Sequence, residues 1–418
     1  MLKQIGALLL VLLVSCRVTA NAPPVPSHGV AYRGGLWFDG NAFERKTMYV
    51  SDGVFSATAP AQLDSTVELA GGYVIPPFGD AHQHLTDPRI AMTINAFLGA
   101  GVFYVKDQAN APMMRRLIDH ALNKPGSLDY ISANQGWTSP DGHPVEVIKR
   151  GMQMGEPMAS MVRDSLDPGL VNQVDTKEDI ARRWSYFLAG KPDFVKVYLF
   201  RSEIHAQLRN DPRGAGNRGI DPKLVPEIVR LAHAAGLEVS AHVFTAQDFR
   251  TALEAGVDQI AHLPGGRATN PAPFLLTEED ARLAAKKKVK VVTTVTQHGD
   301  SATTDRLIQT QYVNNIGVLK RSKVPLLIGS DVYGGTAAGE VAALARSGQF
   351  SNLELLRMWS VETPRAIFPR RRIGVLSPGY EASFLVLRED PIANFRATRD
   401  IVMRVKQGER ISLPVAAR

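Results

Sequence analysis

The chain has 418 residues, of which 44% are hydrophobic and 21% are charged, a composition that fits a globular protein and excludes an intrinsically disordered chain. It contains one cysteine, which excludes an intrachain disulfide framework and a cysteine-based zinc knuckle. The formal net charge is +7, but the basic residues are scattered, whereas nucleic-acid-binding proteins concentrate them in one stripe. We therefore expect no nucleic-acid partner.

The N-terminus has the features of an export signal. Lys3 precedes an apolar run at residues 7–14, which is far shorter than the ~20 residues that a membrane-spanning helix needs. Ser15 and Cys16 follow directly, and a small residue before a cysteine at this point resembles the bacterial lipobox. We predict a lipoprotein signal peptide at residues 1–15, a lipidated Cys16 that anchors the protein to a membrane, and a tether at 16–28. Ordinary secretion with cleavage after Ala22 is the alternative. Both place the folded protein outside the cytoplasm, facing the periplasm or the cell exterior.

Short β-type runs separated by glycine-containing turns fill residues 29–75 and return in residues 366–415. Between them, apolar strand patterns alternate with helical stretches. The predicted strands of this central region are residues 73–80, 102–107, 128–133, 193–200, 237–243, 257–263, 289–296 and 325–331.

Eight strand–helix repeats over ~290 residues fit a TIM-like (β/α)8 barrel. We therefore predict an α/β protein in which residues 76–365 form this barrel. Residues 29–75 and 366–418 are predicted to form a small β-sandwich domain from both chain ends. Long insertions at residues 135–192 and 201–222 follow the carboxyl ends of strands, which is where TIM barrels carry their active sites.

Potential metal ligands stand at the ends of these predicted strands. His82 and His84 end the first strand two residues apart, so their side chains point to the same side. His242 ends the fifth strand, His262 the sixth, and Asp331 the eighth. One such histidine is usually a core residue, but their repetition at strand ends predicts a metal site at one end of the barrel.

Lys196 lies within the predicted fourth strand. Alternation places it on the same face as Phe194 and Tyr198, opposite a valine–leucine face that would pack against helices. Lys196 should therefore point into the barrel, where an unpaired ammonium group is energetically costly. It can pair with a barrel carboxylate, or its neutral amine can capture carbon dioxide and form a carbamate whose two oxygens bridge two metal ions.

Three segments resemble motifs of the amidohydrolase superfamily. Residues 74–84 (VIPPFGDAHQH) resemble its first-strand motif and residues 255–262 (AGVDQIAH) its sixth-strand motif. Residues 373–387 (IGVLSPGYEASFLVL) resemble the signature of its C-terminal β domain. The lysine in the sequence FVKVY resembles that of the binuclear branch of imidazolonepropionase-like proteins, which includes prolidase-type dipeptidases. The similarity runs from about residue 30 to 410.

The resemblance implies a small-molecule substrate and two divalent metal ions. Zinc is expected because imidazole and oxygen ligands suit it and no thiolate is present. The implied ligands are His82, His84 and Asp331 for one ion, His242 and His262 for the other, and carbamylated Lys196 as the bridge. The implied reaction is attack by a metal-bridging hydroxide on the carbonyl of an amide, such as a dipeptide or an N-acyl amino acid, with Asp331 moving the proton to the leaving amine.

Other polar residues near these strand ends are candidates for substrate contacts. Tyr198 is expected to donate a hydrogen bond to the reacting carbonyl oxygen, although a core tyrosine fits the pattern equally well. His143, in the first insertion, is a candidate for contact with substrate or metal. Arg201 and Arg267 follow strands four and six and are candidates for binding a substrate carboxylate.

Two other reaction classes share the barrel. A mononuclear deaminase would use His82, His84, His242 and Asp331 without a carbamate, but the acidic residue expected a few positions after the fifth-strand histidine is missing before Asp248. A phosphotriesterase- or lactonase-like hydrolase would share the whole binuclear site and differ only in its pocket. A third possibility is a binding protein that retained the barrel without catalysis.

Overall fold

The computed structural model describes residues 28–85, 89–153, 169, 171–211, 214–296 and 306–413. The predicted signal peptide, Cys16 and nearly all of the predicted tether lie outside the described residues. Within the described ranges, no helix is both long enough and apolar enough to cross a bilayer.

The first five strands form a β region that precedes the parallel sheets. They are β1 (His28–Phe38), β2 (Phe43–Ser51), β3 (Val54–Ser56), β4 (Gln62–Glu68) and β5 (Tyr73–Ile75). β1 is the centre of this region, because it pairs antiparallel with β2 and parallel with both β4 and β5.

The next ten strands form two parallel sheets. They are β6 (Phe78–Gln83), β7 (Val102–Asp107), β8 (Asp129–Ser132), β9 (Gly136–Thr138), β10 (Val171–Gln173), β11 (Val195–Tyr198), β12 (Val239–His242), β13 (Gln259–Ile260), β14 (Lys290–Val292) and β15 (Leu326–Leu327). One sheet has the order β6-β7-β8, and the other has the order β10-β9-β11-β12-β13-β14-β15. Strands that alternate with helices and pair in parallel give a TIM-barrel-like α/β fold.

Backbone hydrogen bonds connect the two parallel sheets at both sides. On one side, the amide of Ala81 donates to the carbonyl of Ile328 at 2.8 Å, and the amide of Asp331 donates to the carbonyl of His82 at 2.9 Å. On the other side, the amide of Asp193 donates to the carbonyl of Ser132 at 2.9 Å. The carboxyl ends of β6 and β15 therefore meet directly.

The last three strands return to the N-terminal β region. They are β16 (Phe384–Leu387), β17 (Ile401–Lys406) and β18 (Glu409–Arg410). β16 pairs antiparallel with β5, and strands from both chain ends thereby form one eight-stranded sheet, with β4 attached to β1 beside the path β18-β17-β16-β5-β1-β2-β3. Its buried face carries a cluster of aromatic rings in which Trp37 contacts Phe55 and Phe384, with ring centroids 5.9 and 5.3 Å apart.

Twelve α-helices lie within the described residues. They are α1 (Ile90–Gly99), α2 (Pro112–Ile118), α3 (Val145–Gln153), α4 (Lys177–Ala189), α5 (His205–Arg209), α6 (Val225–Ala234), α7 (Ala246–Ala255), α8 (Glu278–Lys286), α9 (Arg306–Arg321), α10 (Ala338–Arg346), α11 (Asn352–Arg357) and α12 (Thr363–Ile367). Capping residues in the sequence determine where several of these helices begin and end. Thr245 and Asp248 form a capping box at the start of α7, and Gly256 ends this helix at φ +88°.

The predicted strand at residues 73–80 is wrong as one element, because the structure divides it into β5 and β6. Pro76 and Pro77 lie between them, and a proline offers no amide hydrogen to a sheet ladder. β5 consequently stays with the N-terminal sheet while β6 begins the parallel sheets. Each of the other seven predicted strands contains an observed strand of the parallel sheets, and β7 has the predicted bounds.

Candidate functional site

Three of the predicted ligands form a compact cluster. His82, His262 and Asp331 offer ligand atoms that all lie within 4.8 Å of one another. Nε2 of His82 lies 3.4 Å from Oδ1 of Asp331, and Nε2 of His84 lies 3.2 Å from the same oxygen. Imidazole nitrogens that converge on one carboxylate are an arrangement suited to a divalent cation.

Hydrogen bonds fix which nitrogen of the first two histidines faces Asp331. Nδ1 of His82 lies 3.0 Å from the carbonyl oxygen of Ala261, and Nδ1 of His84 lies 3.1 Å from that of Ala109. A carbonyl only accepts, so Nδ1 carries a proton in both rings and Nε2 is the nitrogen that faces the cluster. Such a bond to the second nitrogen is how metal-binding histidines are usually oriented.

Asp80 joins the two strand ends that carry these groups. Its buried carboxylate accepts hydrogen bonds from the amide of His82 at 3.2 Å, from the amide of Ser330 at 3.1 Å and from the Ser330 hydroxyl at 2.9 Å. Burial raises the pKa of Asp80 to about 6, although these hydrogen bonds oppose the increase. Asp80 thus holds the end of β6 against the residue that precedes Asp331.

Asp331 itself is held in an unusual backbone conformation, with φ at +51°. Aspartate tolerates this left-handed region better than most residues, and such conformations concentrate at functional sites. Burial favours the neutral acid, but the hydrogen bond from His84 and the positive charges of His84 and Lys196 outweigh it, so the pKa of Asp331 is lowered. Its side chain is therefore a carboxylate at neutral pH.

His242 and His262 stand next to this group. Their ring centroids lie 4.4 Å apart, and the His262 ring lies 4.4 Å from that of His82. Burial is the main cause that lowers the pKa of both His242 and His262 well below the usual value, so both imidazoles are neutral. Among the described residues, nothing hydrogen-bonds the buried Nε2 of His242. A neutral, buried imidazole nitrogen with no protein partner fits a metal ligand.

Lys196 is fully buried and points into the same space, as the alternation in the sequence predicted. Its Nζ donates a hydrogen bond to Oε1 of Gln108 at 3.3 Å. Burial lowers the pKa of Lys196 to about 7, with the nearby Asp331 acting in the opposite direction. A large share of the amine is therefore neutral near pH 7, and the neutral amine is the form that reacts with carbon dioxide.

Tyr198 lies on the wall of the site, two residues beyond Lys196. Its ring centroid is 5.8 Å from that of His242 and 5.4 Å from Nζ of Lys196. Burial raises the pKa of Tyr198 well above its usual value, so the hydroxyl remains protonated and can donate a hydrogen bond. The ring packs so closely on Gly136 that a Cβ there would lie 2.3 Å from Cε2 of Tyr198.

His143 reaches the site from the first insertion. Its ring lies 4.6 Å from the His242 ring and 4.8 Å from the Phe200 ring, between centroids. Its backbone amide donates to the carbonyl of Arg218 at 2.6 Å, so the two insertions are bonded to each other beside the site. Burial lowers the pKa of His143 to about 4, and the ring is neutral at physiological pH.

The six predicted metal ligands, together with Tyr198 and His143, line one cavity of about 480 Å³. This size is within the range usual for small-molecule sites. Neither Arg201 nor Arg267 is among the described residues that line it. The lining side chains are His82, His84, Ala109, His143, Pro144, Val147, Ile148, Lys196, Tyr198, Phe200, Gly216, His242, Val243, Phe244, His262, Gly265, Asp331 and Tyr333.

Several supporting residues were missed from the sequence. Gln108 accepts from Lys196 and from the Ser240 hydroxyl, and Nδ1 of His262 lies 3.2 Å from Oγ1 of Thr294. Asp107 lies 4.0 Å from Nδ1 of His84. Asp107 and Gln108 end an apolar strand, as His82 does, so the same strand-end signal pointed to them. Ser240 and Thr294 carry no comparable sequence signal.

Comparison with known proteins places this geometry in context. A model described as the amidohydrolase family matches residues 129–411, which is more than half of the chain. No curated protein matches the sequence.

Solved structures are similar over most of the chain at low sequence identity. A prolidase complexed with N-methylphosphonate-L-proline is 17% identical, with a TM-score of 0.70 over 92% of this chain and 100% of the other. The ochratoxinase of A. niger is 17% identical, with a TM-score of 0.70 over 93% of this chain and 97% of the other. A Xaa-Pro dipeptidase with methionine bound in its active site is 14% identical, with a TM-score of 0.69 over 92% of this chain and 100% of the other.

Proposed function

This chain belongs to the amidohydrolase family and is a hydrolase that acts on carbon–nitrogen bonds, and we propose that its substrate is a small amide such as a dipeptide or an N-acyl amino acid. Members of this family generally use divalent metal ions, and His82, His262 and Asp331 form a group that could hold one. The observation that carries the proposal is the buried Nε2 of His242, which has no hydrogen-bond partner among the described residues although its ring lies 4.4 Å from that of His262. The prolidase and the dipeptidase among the similar structures support a peptide-like substrate.

We assign these six donors to two zinc ions. His82, His84 and Asp331 would hold one ion, His242 and His262 the other, and Lys196 would bridge them as a carbamate. Imidazole and oxygen donors without a thiolate suit zinc. The low pKa of Lys196, about 7 as a result of burial, supports carbamate formation, since its neutral nitrogen can attack carbon dioxide and lose a proton. Gln108, 3.3 Å from Nζ, is the group that orients this nitrogen.

When bound, the ions would supply an activated water molecule and polarise the substrate carbonyl. The side chains of this chain supply the proton transfers and the orientation. Asp331, a carboxylate at neutral pH, accepts a proton from the attacking water and delivers it to the leaving nitrogen as the carbon–nitrogen bond breaks. Tyr198 donates a hydrogen bond to the carbonyl oxygen as negative charge develops there. His143, neutral and packed on His242, orients the substrate.

The test is a metal analysis combined with a substrate screen. Protein loaded with zinc should contain two equivalents of metal and should hydrolyse members of a panel of dipeptides, N-acyl amino acids and cyclic amides. Turnover of lactones or phosphotriesters alone would identify the phosphotriesterase- or lactonase-like alternative. One metal equivalent with release of ammonia would identify a deaminase, and no bound metal would overturn the proposal. His242→Ala should lose metal, whereas His233→Ala, whose side chain is 45% exposed and pairs with Asp258, should not.

We further propose that the two parallel sheets form one closed (β/α)8 barrel over residues 76–365. The backbone bonds from Ala81 to Ile328 and from Asp193 to Ser132 support closure at both sides.

We also propose that residues 29–75 and 366–418 form one β-sandwich domain. Its support is the 6.0 Å contact between the rings of Phe55 on β3 and Phe384 on β16, because these strands are far apart in the sheet order and the sheet must curl to bring them together. Separate expression of the barrel without this domain should give insoluble protein.

Export and lipid anchoring complete the proposal. The apolar run at 7–14 followed by Ser15 and Cys16 supports lipidation of Cys16 and attachment to a membrane outside the cytoplasm. In a bacterial host, the full chain should fractionate with membranes, and Cys16→Ser should move it to the soluble exported fraction. Equal soluble fractions for both proteins would favour ordinary secretion with cleavage after Ala22.

A further inference from the structure

Four aromatic rings form a continuous row along one wall of the cavity. The row begins at His242 and continues through His143 and Phe200 to Phe244, with centroid distances of 4.6, 4.8 and 4.3 Å between successive rings. We call these four residues the ring row. Phe200 and Phe244 are parallel within 7° and only partly buried, and both line the cavity.

The backbone fixes the position of the ring row relative to the reactive groups. Phe200 comes two residues after Tyr198 at the end of β11, and Phe244 comes two residues after His242 at the end of β12. β11 and β12 are neighbours, with Tyr198 paired to His242. The ring row is therefore a direct continuation of the wall that bears the proposed catalytic groups. A substrate whose amide lies beside Tyr198 has the ring row next to one of its two ends.

Phe244 is also supported from behind. Phe274, which is 5% exposed, packs edge-to-face on it with centroids 5.2 Å apart. Gly266 makes room for this pair, since a Cβ there would lie 2.6 Å from the Phe274 ring and 3.0 Å from Cζ of Phe244. The Phe244 ring is thus held on a packed base, and aromatic rings in fixed positions bind other aromatic rings through edge-to-face contacts.

The small number of charged residues in the cavity also favours an aromatic ligand over an ionic one. Among the described residues that line it, Lys196 and Asp331 are the charged types, and both belong to the proposed metal cluster. Arg201, a candidate for binding a substrate carboxylate, instead lies over Phe200 and Phe244, with Cζ 5.9 and 5.6 Å from the two ring centroids. Away from the metal cluster, the described wall offers aromatic and aliphatic surface rather than an ionic partner.

We propose that the substrate carries an aromatic ring next to the scissile amide and that the ring row binds it. This inference rests on the proposed amide hydrolysis and narrows its substrate class. It separates aromatic from merely apolar substrates, because a ring of the same size without π electrons would fill the cavity but lose the edge-to-face interaction.

The experiment compares phenyl with cyclohexyl in otherwise identical substrates. Phenylalanine is set against cyclohexylalanine in N-acetyl amino acids, which probe the amine side of the bond, and in X-Gly dipeptides, which probe the acyl side. On the amine side or on the acyl side, kcat/KM should be roughly 2- to 10-fold higher for the phenyl substrate than for the cyclohexyl substrate, the range typical of an aromatic pair. Equal values, or a preference for cyclohexyl, on both sides would overturn the inference while leaving amide hydrolysis intact.

Variants locate the effect in the ring row. Phe244→Leu should bring the phenyl-to-cyclohexyl ratio close to 1. The matched control is Phe43→Leu, which removes a half-buried ring that packs on Tyr73 in the N-terminal sheet and should leave the ratio unchanged. A ratio that persists in Phe244→Leu, in protein with unchanged thermal stability, would contradict the assignment.

A binding measurement keeps the inference testable if no amide is hydrolysed, a result that would count against the proposed function alone. Phenylphosphonate and cyclohexylphosphonate are titrated calorimetrically into the zinc-loaded protein. Tighter binding of phenylphosphonate that is lost in Phe244→Leu would support the ring row as an aromatic site. Equal binding of both ligands would overturn it.

Discussion

Oγ1 of Thr294 lies 3.2 Å from Nδ1 of His262, although the backbone of Thr294 has a φ of +41°. A β-branched residue pays a steric penalty for this conformation, which persists only where the surroundings enforce it. The group that enforces it here is the carboxyl group of Glu340, which accepts hydrogen bonds from the amides of Val295 and Thr296 at 3.0 Å and from the Thr296 hydroxyl at 2.8 Å. Glu340 thereby holds the segment that orients His262.

The first prediction concerns this support. Glu340→Gln replaces an acceptor with an amide that faces two amide donors, so the free energy of unfolding should fall by about 1–3 kcal/mol. The orientation of His262 should loosen as well, and zinc affinity should fall roughly 10-fold or more. Chemical denaturation and metal titration measure the two effects. The exposed Glu279→Gln is the control, and unchanged zinc affinity in Glu340→Gln would contradict a positioning role.

Glu340 should also make stability depend on pH. Burial raises the pKa of Glu340 from 4.5 to about 7, so the folded protein keeps a proton that the unfolded chain releases. Its contribution to stability is therefore full below pH 4.5 and is lost as pH rises through about 7. As pH rises from 4.5 to about 7, the free energy of unfolding of the wild type should fall relative to that of Glu340→Gln, by at most about 3 kcal/mol. Denaturant midpoints at several pH values measure it, and a constant difference would refute the assignment.

A third prediction tests the role of Lys196. Lys196→Met removes the nitrogen that would form the carbamate, so zinc content should fall below two equivalents and kcat should fall at least about 100-fold. Lys149→Met is the control, because this side chain is 51% exposed, and it should retain the wild-type zinc content and kcat. Labelled carbon dioxide should give a carbamate carbon signal in wild type that is absent from Lys196→Met. Full zinc content and full activity in Lys196→Met would rule out a bridging lysine.

A fourth prediction uses the contact between Gly136 and Tyr198. Gly136→Ala places a Cβ 2.3 Å from the Tyr198 ring and must displace it, so kcat should fall while both zinc ions remain. Tyr198→Phe should lower kcat by about 100-fold or more, the effect typical of removing one oxyanion donor. Gly126→Ala is the control, because no atom lies within 4 Å of the added Cβ. Unchanged turnover in Tyr198→Phe would remove the hydroxyl from the mechanism.

The ends of the parallel strands were the part of the fold and of the candidate site that could be predicted best from the sequence. Apolar runs that close on a polar residue predicted the positions of His82, His242, His262 and Asp331 at one cavity, because period-two alternation and parallel pairing leave few other arrangements. The boundary at Pro76 and Pro77 was missed, since the apolar residues on both sides read as one run. The missing amide hydrogens, rather than hydropathy, determine where the sheet breaks.

Contacts between distant segments could not be predicted in this way. Glu340 lies in the first turn of α10, where a carboxylate usually faces solvent near the helix N-terminus. Only the packing of this helix against the segment after β14 buries it under Thr293 and Thr296. The ring row has the same origin, because His143 joins Phe200 and Phe244 only when the first insertion folds back over the ends of β11 and β12.

The pairing of β5 with β16 also determines when the chain can complete its fold. In the register of these strands, Ile75 faces Leu385, so some 300 residues separate partners that share one ladder. During synthesis, the edge of β5 that β16 will cover stays open until nearly the whole chain has left the ribosome. Arg404 and Lys406 then form hydrogen bonds to Gly99 at the end of α1 and Asp129 at the start of β8. A premature stop just before Phe384 would remove β16, β17 and β18 and should therefore yield aggregated protein rather than a slightly shortened enzyme.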